Sequence, residues 1–206
     1  MGRKKKNKVR IFFTSDNHFF HENIFKFTSR PFRDLSHMHE EMIKRWNAVV
    51  RPGDTVYVVG DFTNGGNSAD REWAANRLNG FKILVQGNHD KGQDLPKGFQ
   101  AMVRDCSLVI AGQKVTVKHY PLRYTRWKTI MLWIKSFPKK PIRPKYIKSM
   151  PRDAGQYHMH GHTHSKYKFK ENQIHVGCDA WKCTPVYIGE IASYISRREA
   201  KKRLEK

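Results

Sequence analysis

The feature that most constrains this chain is a repeated pattern in which a short apolar run of β-forming residues breaks off into a cluster of Gly, Asp, Asn and His. The sharpest case is residues 81–86, Phe-Lys-Ile-Leu-Val-Gln, which run into Gly87-Asn88-His89-Asp90. The run has the composition of a buried strand. Gly87 permits the sharp turn that a side chain would resist. Asn88 offers a neutral oxygen to a cation, His89 a proton near neutral pH, and Asp90 a carboxylate able to orient that imidazole.

The same pattern occurs twice upstream. Residues 9–15 predict a strand that ends at Asp16-Asn17-His18, and residues 55–59 predict one that ends at Gly60-Asp61. A hard oxygen and an imidazole two residues apart at a strand end suit a divalent transition metal. Asp61, with two oxygens, can serve two metals. His21 and Glu22 are expected at the rim. Between these strands the spacing of Met38, Met42, Trp46 and Val49 predicts a helix over 36–50, with Ser36 as N-cap and His37 and His39 as surface histidines. A second helix is expected over 68–78, with Trp73 and Leu78 buried. Strand, helix, strand, helix, strand predicts a parallel sheet with right-handed crossovers. Such sheets gather functional groups beyond the carboxyl ends of their strands.

The second half changes to strands alone: 101–104, 107–111 and 114–118, with Gly112-Gln113 as a hairpin turn. The last of these ends in His119. Residues 156–160 predict a strand ending in Gly161-His162-Thr163-His164. Imidazoles at i and i+2 of an extended segment face opposite ways, which suits two adjacent metals. Final strands are expected at 174–176 and 184–188, then a basic helix over 190–206. His158 and His160 are expected to support the metals or to be edge-strand polar groups, His175 to be structural, and Cys106, Cys178 and Cys183 to be small buried residues.

Asp16-x-His18, Gly60-Asp61, Gly87-Asn88-His89-Asp90, His119 and Gly161-His162-x-His164, in that order, resemble the motifs of the calcineurin-like metallophosphoesterases, especially small bacterial and phage members. The resemblance covers residues 16–164 and implies a four-layer αββα sandwich of the α/β (α+β) class, with two mixed β-sheets flanked by helices. It also implies a dinuclear metal centre. Asp16, His18 and His164 would hold one divalent metal, Asn88, His119 and His162 the other, and Asp61 would bridge them. A hydroxide between the metals would attack phosphorus, and His89, oriented by Asp90, would be the general acid or a clamp on the phosphate. Oxygen and nitrogen ligands without thiolate suit manganese, which is favoured, or iron, nickel, zinc or magnesium. Superfamily protein phosphatases continue the second motif as Asp-Arg-Gly and end the third in Glu. Here the corresponding residues are Phe62-Thr63-Asn64-Gly65 and Asp90, which speaks against a phosphoserine phosphatase.

Charge bears on the substrate. The 206 residues carry 40 Lys and Arg against 18 Asp and Glu, a net charge of +22, which attracts polyanions such as DNA, RNA or another phosphate-rich substrate. No acidic residue occurs from Cys106 to Arg152. The insertion at 121–154 mixes Arg123, Arg126, Lys128, Lys139, Lys140 and Arg143 with Tyr124, Trp127, Trp133, Phe137 and Tyr146. Cations neutralise phosphates and aromatic rings stack on bases, so this stretch is expected to be a substrate-gripping lid; its apolar residues would equally suit a helix packed on the core. The expected organisation is a disordered basic arm at 1–8, one catalytic domain over 9–196 and a basic helical tail at 197–206. No long apolar segment follows the basic start, so neither a signal peptide nor a membrane span is expected, and three cysteines without metal-finger spacing point to the cytoplasm. The expected function is a metal-dependent phosphodiesterase acting on nucleotide or nucleic-acid substrates. The alternatives are a phosphomonoesterase or nucleotide phosphatase, and a nucleic-acid-binding module without turnover.

Overall fold

A computed structural model describes residues 9–123 and 147–205. The arm at 1–8 and Arg126, Lys128, Lys139, Lys140 and Arg143 of the insertion lie outside the described residues. Five strands form a first sheet in the order β10-β1-β2-β3-β4: β1 (Ile11–Thr14), β2 (Thr55–Val58), β3 (Phe81–Val85), β4 (Ala101–Val103) and β10 (Val186–Tyr187). The first four are parallel and β10 runs antiparallel to β1. The second sheet has the order β5-β6-β7-β9-β8, from β5 (Cys106–Ile110), β6 (Gln113–Val117), β7 (Tyr157–His160), β8 (Phe169–Lys170) and β9 (Gln173–His175). Both sheets are mixed, as the resemblance implies.

Period-two alternation builds two cores from the first sheet. Phe12, Val56, Val58 and Leu84 face one way, against the helices α2 (Leu35–Val49) and α3 (Ser68–Arg77). Phe13, Val59 and Val85, one residue on, face the other way and meet Val115, Val117, Tyr157, Met159 and Ile174 of the second sheet. The central strands are thus covered on both faces, which is why they are continuous apolar runs. The C-terminal helix α4 (Ile188–Leu204) adds Ile191 and Ile195 to this second core.

Local chemistry shifts several expected boundaries. Asp34, not Ser36, caps α2, accepting the His37 N–H at 2.8 Å. Asn67 and Asp70 form a reciprocal capping box that starts α3. The β5–β6 turn is Ala111-Gly112, with φ of 50° and 73°, because a two-residue hairpin of this hand needs positive φ at both central residues. Trp73 is 40% exposed, against expectation, with the Arg77 guanidinium over its ring at 4.7 Å. His39 is buried rather than on the surface, and its Nε2 accepts the Phe20 N–H at 3.0 Å. This bond ties α2 to the loop after β1.

Candidate metal centre

The parallel order of β1, β2 and β3 brings their carboxyl ends side by side, and β6 and β7 do the same in the other sheet. The loops remain paired beyond the strands: Asp16 N–H donates to the Gly60 carbonyl at 3.0 Å and His18 N–H to the Asp61 carbonyl at 3.1 Å. Two bonds then join the sheets at the site. His119 Nδ1–H donates to the Val59 carbonyl at 2.9 Å, and the His162 N–H donates to both oxygens of Asp16 at 3.0 Å.

Two groups of donor atoms result, each within 4.8 Å: Asp16, His18 and His164, and Asp61, His119 and His162. Asp61 lies between them, with Oδ2 at 3.3 Å from His119 Nε2 and 3.7 Å from His18 Nε2. Its Oδ1 accepts the His89 N–H at 2.9 Å. Asn88 Oδ1 is 3.1 Å and His162 Nδ1 3.2 Å from His119 Nε2. His119 Nδ1 carries a proton, and although burial would lower the His119 pKa, Asp61 raises it to about 9. The oxygens of Asp61 and Asn88 that face Nε2 thus call for a positive charge there, a proton or a metal ion in its place.

His18 makes the same point more strongly. It is 2% exposed, yet neither ring nitrogen has a hydrogen-bond partner among the described residues. Burial pushes its pKa well below the usual imidazole value, so it is neutral and has a free lone pair. Burial alone would raise the Asp61 pKa, but His119, His18 and the His89 N–H hold it below the usual carboxylate range. The donor set of imidazoles, carboxylates and an amide oxygen fits divalent metals of the harder and borderline kind.

The backbone is bent to make this set. Asp16, His18, Asp61, His162 and His164 all have φ between 49° and 69°. Non-glycine residues there cost about 1–3 kcal/mol each and gather at functional sites. His162 and His164 therefore reach different donor groups from a left-handed loop, not from the opposite faces of an extended segment. Glycines beside them leave no room for a side chain: a Cβ on Gly87 would stand 2.2 Å from Asp61 Oδ1.

Three side chains have roles the sequence did not indicate. Asp179 accepts from His164 Nδ1 at 2.7 Å, which leaves His164 Nε2 for the donor group. Arg30, 7% exposed, holds Asp179 through Nε at 3.1 Å and binds the carbonyls of Asp16 and Asn17 at 2.6 and 2.8 Å. Asp179 follows β9 in the segment Gly177-Cys178-Asp179, an instance of the strand-end pattern that could have flagged it; Arg30 carries no such signal. The third is Asp90, expected beside the His89 ring. Its oxygens instead accept the backbone N–H groups of Asp61, Gly87 and Phe62 at 2.7, 2.8 and 3.3 Å. Asp90 thus locks the loop after β2 to the loop after β3 and places Asp61, because three backbone donors outcompete one imidazole.

Over the donor groups lies a cleft of about 430 Å³, lined by His18, Asp61, Asn88, His89, His162 and His164 on the metal side and by His21, Ile24, Phe27 and Asn64. His21 is a rim residue, as expected. Arg123 is exposed, does not line the cleft, and is tied by its backbone N–H to the Pro151 carbonyl at 2.8 Å. His158 and His160 are fully buried in a central strand, not at an edge.

A family model, the calcineurin-like phosphoesterase superfamily domain, matches residues 10–200. The chain belongs to this superfamily. It is therefore a metal-dependent phosphoesterase, a hydrolase of phosphoester bonds. An uncharacterized protein of Methanocaldococcus jannaschii is 42% identical over 83 residues, 40% of this chain; the match spans 47%, or about half, of that relative. The Gene 66 proteins of Mycobacterium phages L5 and D29 are 28% and 29% identical and match 82% and 83% of this chain and 86% and 88% of their own lengths. A protein of unknown function from Aquifex aeolicus shares the fold, with a TM-score of 0.64 at 24% identity, over 91% of this chain and 100% of its own. No helix among the described residues of the phosphoesterase is long and apolar enough to cross a membrane.

Proposed function

We propose that the phosphoesterase holds two divalent cations, manganese favoured, and hydrolyses phosphodiesters of nucleotide or nucleic-acid type. The observation that carries the dinuclear reading is His18, a buried imidazole of one donor group with neither nitrogen partnered among the described residues, whose Nε2 lies 3.7 Å from Asp61 Oδ2 of the other group. Asp16, His18 and His164 would hold one cation and Asn88, His119 and His162 the other, with Asp61 between. Cations bound there supply charge stabilisation to the phosphoryl group and activate water.

The remaining steps fall to the chain's own residues. His89 lines the cleft with its ring 5.4 Å from that of His18, and its backbone is fixed through Asp61. In this reading it hands a proton to the departing ester oxygen, a contribution typically worth about 10²–10⁴ in rate. The preference for nucleic-acid diesters is supported by the net charge of +22 and by the run of cations and aromatics that follows His119.

The test is hydrolysis of bis(p-nitrophenyl) phosphate, p-nitrophenyl phosphate and single-stranded DNA and RNA by manganese-loaded protein. The diesters are expected to be turned over faster than the monoester. His89→Ala should lose about 10²–10⁴ in kcat while still binding metal. Two manganese ions per chain should be found by metal analysis, and Asp61→Ala should abolish both stoichiometry and turnover. One ion per chain overturns the dinuclear centre, and monoester preference overturns the diesterase reading.

A further inference from the structure

The helix α1 (Ile24–Phe27) treats its two apolar cleft residues in opposite ways. Ile24 is 1% exposed and belongs to the core, whereas Phe27 is 70% exposed and lines the cleft. A lone exposed phenylalanine elsewhere on a surface would need no explanation. This one ends a file of rings that starts at the donor groups. His164 stacks on His18 with centroids 5.0 Å apart, His18 lies 5.3 Å from His21, and His21 lies 6.1 Å from Phe27 with the two planes only 25° apart. Phe27 is thus two ring-to-ring steps from His18, and a flat group joined to a phosphate at the donor groups comes within reach of its face. Asn64, also on the cleft wall, supplies an amide that can donate to and accept from the edge of such a group.

We propose that Phe27 is the stacking platform for a base next to the scissile phosphate, and so the residue that selects nucleoside diesters over diesters without a base. This rests on the phosphodiesterase reading and names the part of the substrate that the cleft recognises. Stacking tolerates any base, because every base has a π-face, so the platform selects for nucleosides without reading sequence. His21 backs the arrangement: its Nδ1 is buried without a partner among the described residues, so its ring is held by packing between His18 and Phe27.

The experiment compares a dinucleotide with the same sugar-phosphate carrying no bases, using manganese-loaded wild type, Phe27→Ala and Phe27→Trp. The readout is the ratio of kcat/KM between the two substrates. Base stacking of about 1–3 kcal/mol corresponds to a drop of about 5- to 150-fold in that ratio for Phe27→Ala, carried mainly by KM, with Phe27→Trp restoring it. Thermal melting checks that the exposed site leaves folding intact. A ratio unchanged in Phe27→Ala, with the wild type active on both substrates, overturns the platform alone. A wild type inactive on the dinucleotide and on bis(p-nitrophenyl) phosphate overturns the diesterase reading and the platform with it.

Discussion

At the scale of single residues, the candidate metal-binding positions were legible because each follows the end of a β-forming stretch, and a change from such a stretch to Asp, Asn or His is visible in one dimension. Their supports were not. Arg30 acts on Asp179, 149 positions away, through a contact that exists only after folding. Asp179 in turn fixes the tautomer of His164. Partners of this kind typically account for about 10–100-fold of metal affinity. Asp179→Asn should therefore weaken manganese binding by about that factor in titration calorimetry, and should also lower the apo-protein melting temperature because it leaves the buried Arg30 guanidinium without its counter-charge; equal affinity would show that His164 needs no such partner. His158 gives a pH prediction clear of the donor groups. Its ring lies between Thr116 Oγ1 and the Tyr120 carbonyl, each at 2.8 Å, and burial lowers its pKa to about 4. The unfolded chain takes up that proton near pH 6.5 and the folded chain only near 4. The stability is thus complete above 6.5 and is lost as pH falls toward 4, up to about 3 kcal/mol in all and about 2 kcal/mol of it by pH 5. Urea unfolding at pH 7 and pH 5, in wild type and His158→Gln, should show the wild type losing about 2 kcal/mol more than the variant.

At the scale of elements, the first three strands of the first sheet were legible because they are buried on both faces, and their parallel arrangement followed from the helices between them. The two-residue β8 was not, since a Phe and a Lys between polar neighbours carry no periodicity. The caps of α2 and α3 escaped because Asp34 and Asn67 lie one or two residues outside the apolar pattern that defines a helix. The strand-end loops carry the sharpest structural constraint. Gly161 sits where β7 enters the His162–His164 loop, and a Cβ there would stand 1.9 Å from Ser15 Oγ and 2.4 Å from Asp16 Oδ2. Both are buried, and Ser15 Oγ is committed to the Val59 carbonyl at 2.6 Å, so neither can give way cheaply. Gly161→Ala should push Asp16 out of its donor group. Activity should fall by about 10² or more, as expected when catalytic groups move by an ångström, while overpacking costs about 1–3 kcal/mol of stability. Kinetics paired with urea melts separates the two effects; wild-type turnover in Gly161→Ala would mean that the loop accommodates the methyl group.

At the scale of the whole molecule, the excess of 40 basic over 18 acidic side chains sets how any polyanion approaches the cleft. Charge of one sign spread over a small protein acts at long range at low salt and fades within about 10 Å at 0.1 M, so its signature is salt dependence, not a fixed affinity. The fold is indifferent to this excess: both cores are apolar, and the buried ion pair of Arg30 with Asp179 is locally balanced. The charge is therefore free to serve binding. Each phosphate neutralised on a single strand contributes about 0.7 to the slope of log affinity against log salt. If Lys139, Lys140, Arg143 and Lys145 of the 121–154 insertion each neutralise one phosphate, replacing all four by Gln should flatten that slope by about 3 for single-stranded DNA, read by fluorescence anisotropy between 50 and 300 mM salt. Hydrolysis of bis(p-nitrophenyl) phosphate, which offers a single charge, should change little in the same variant, because one phosphate at the donor groups leaves four further cations nothing to neutralise. A slope equal to that of wild type would take the stretch after His119 out of the substrate path and leave attraction to the remaining basic surface as the source of any binding. The two readouts together separate charge that guides a polymer from charge that merely coats the molecule.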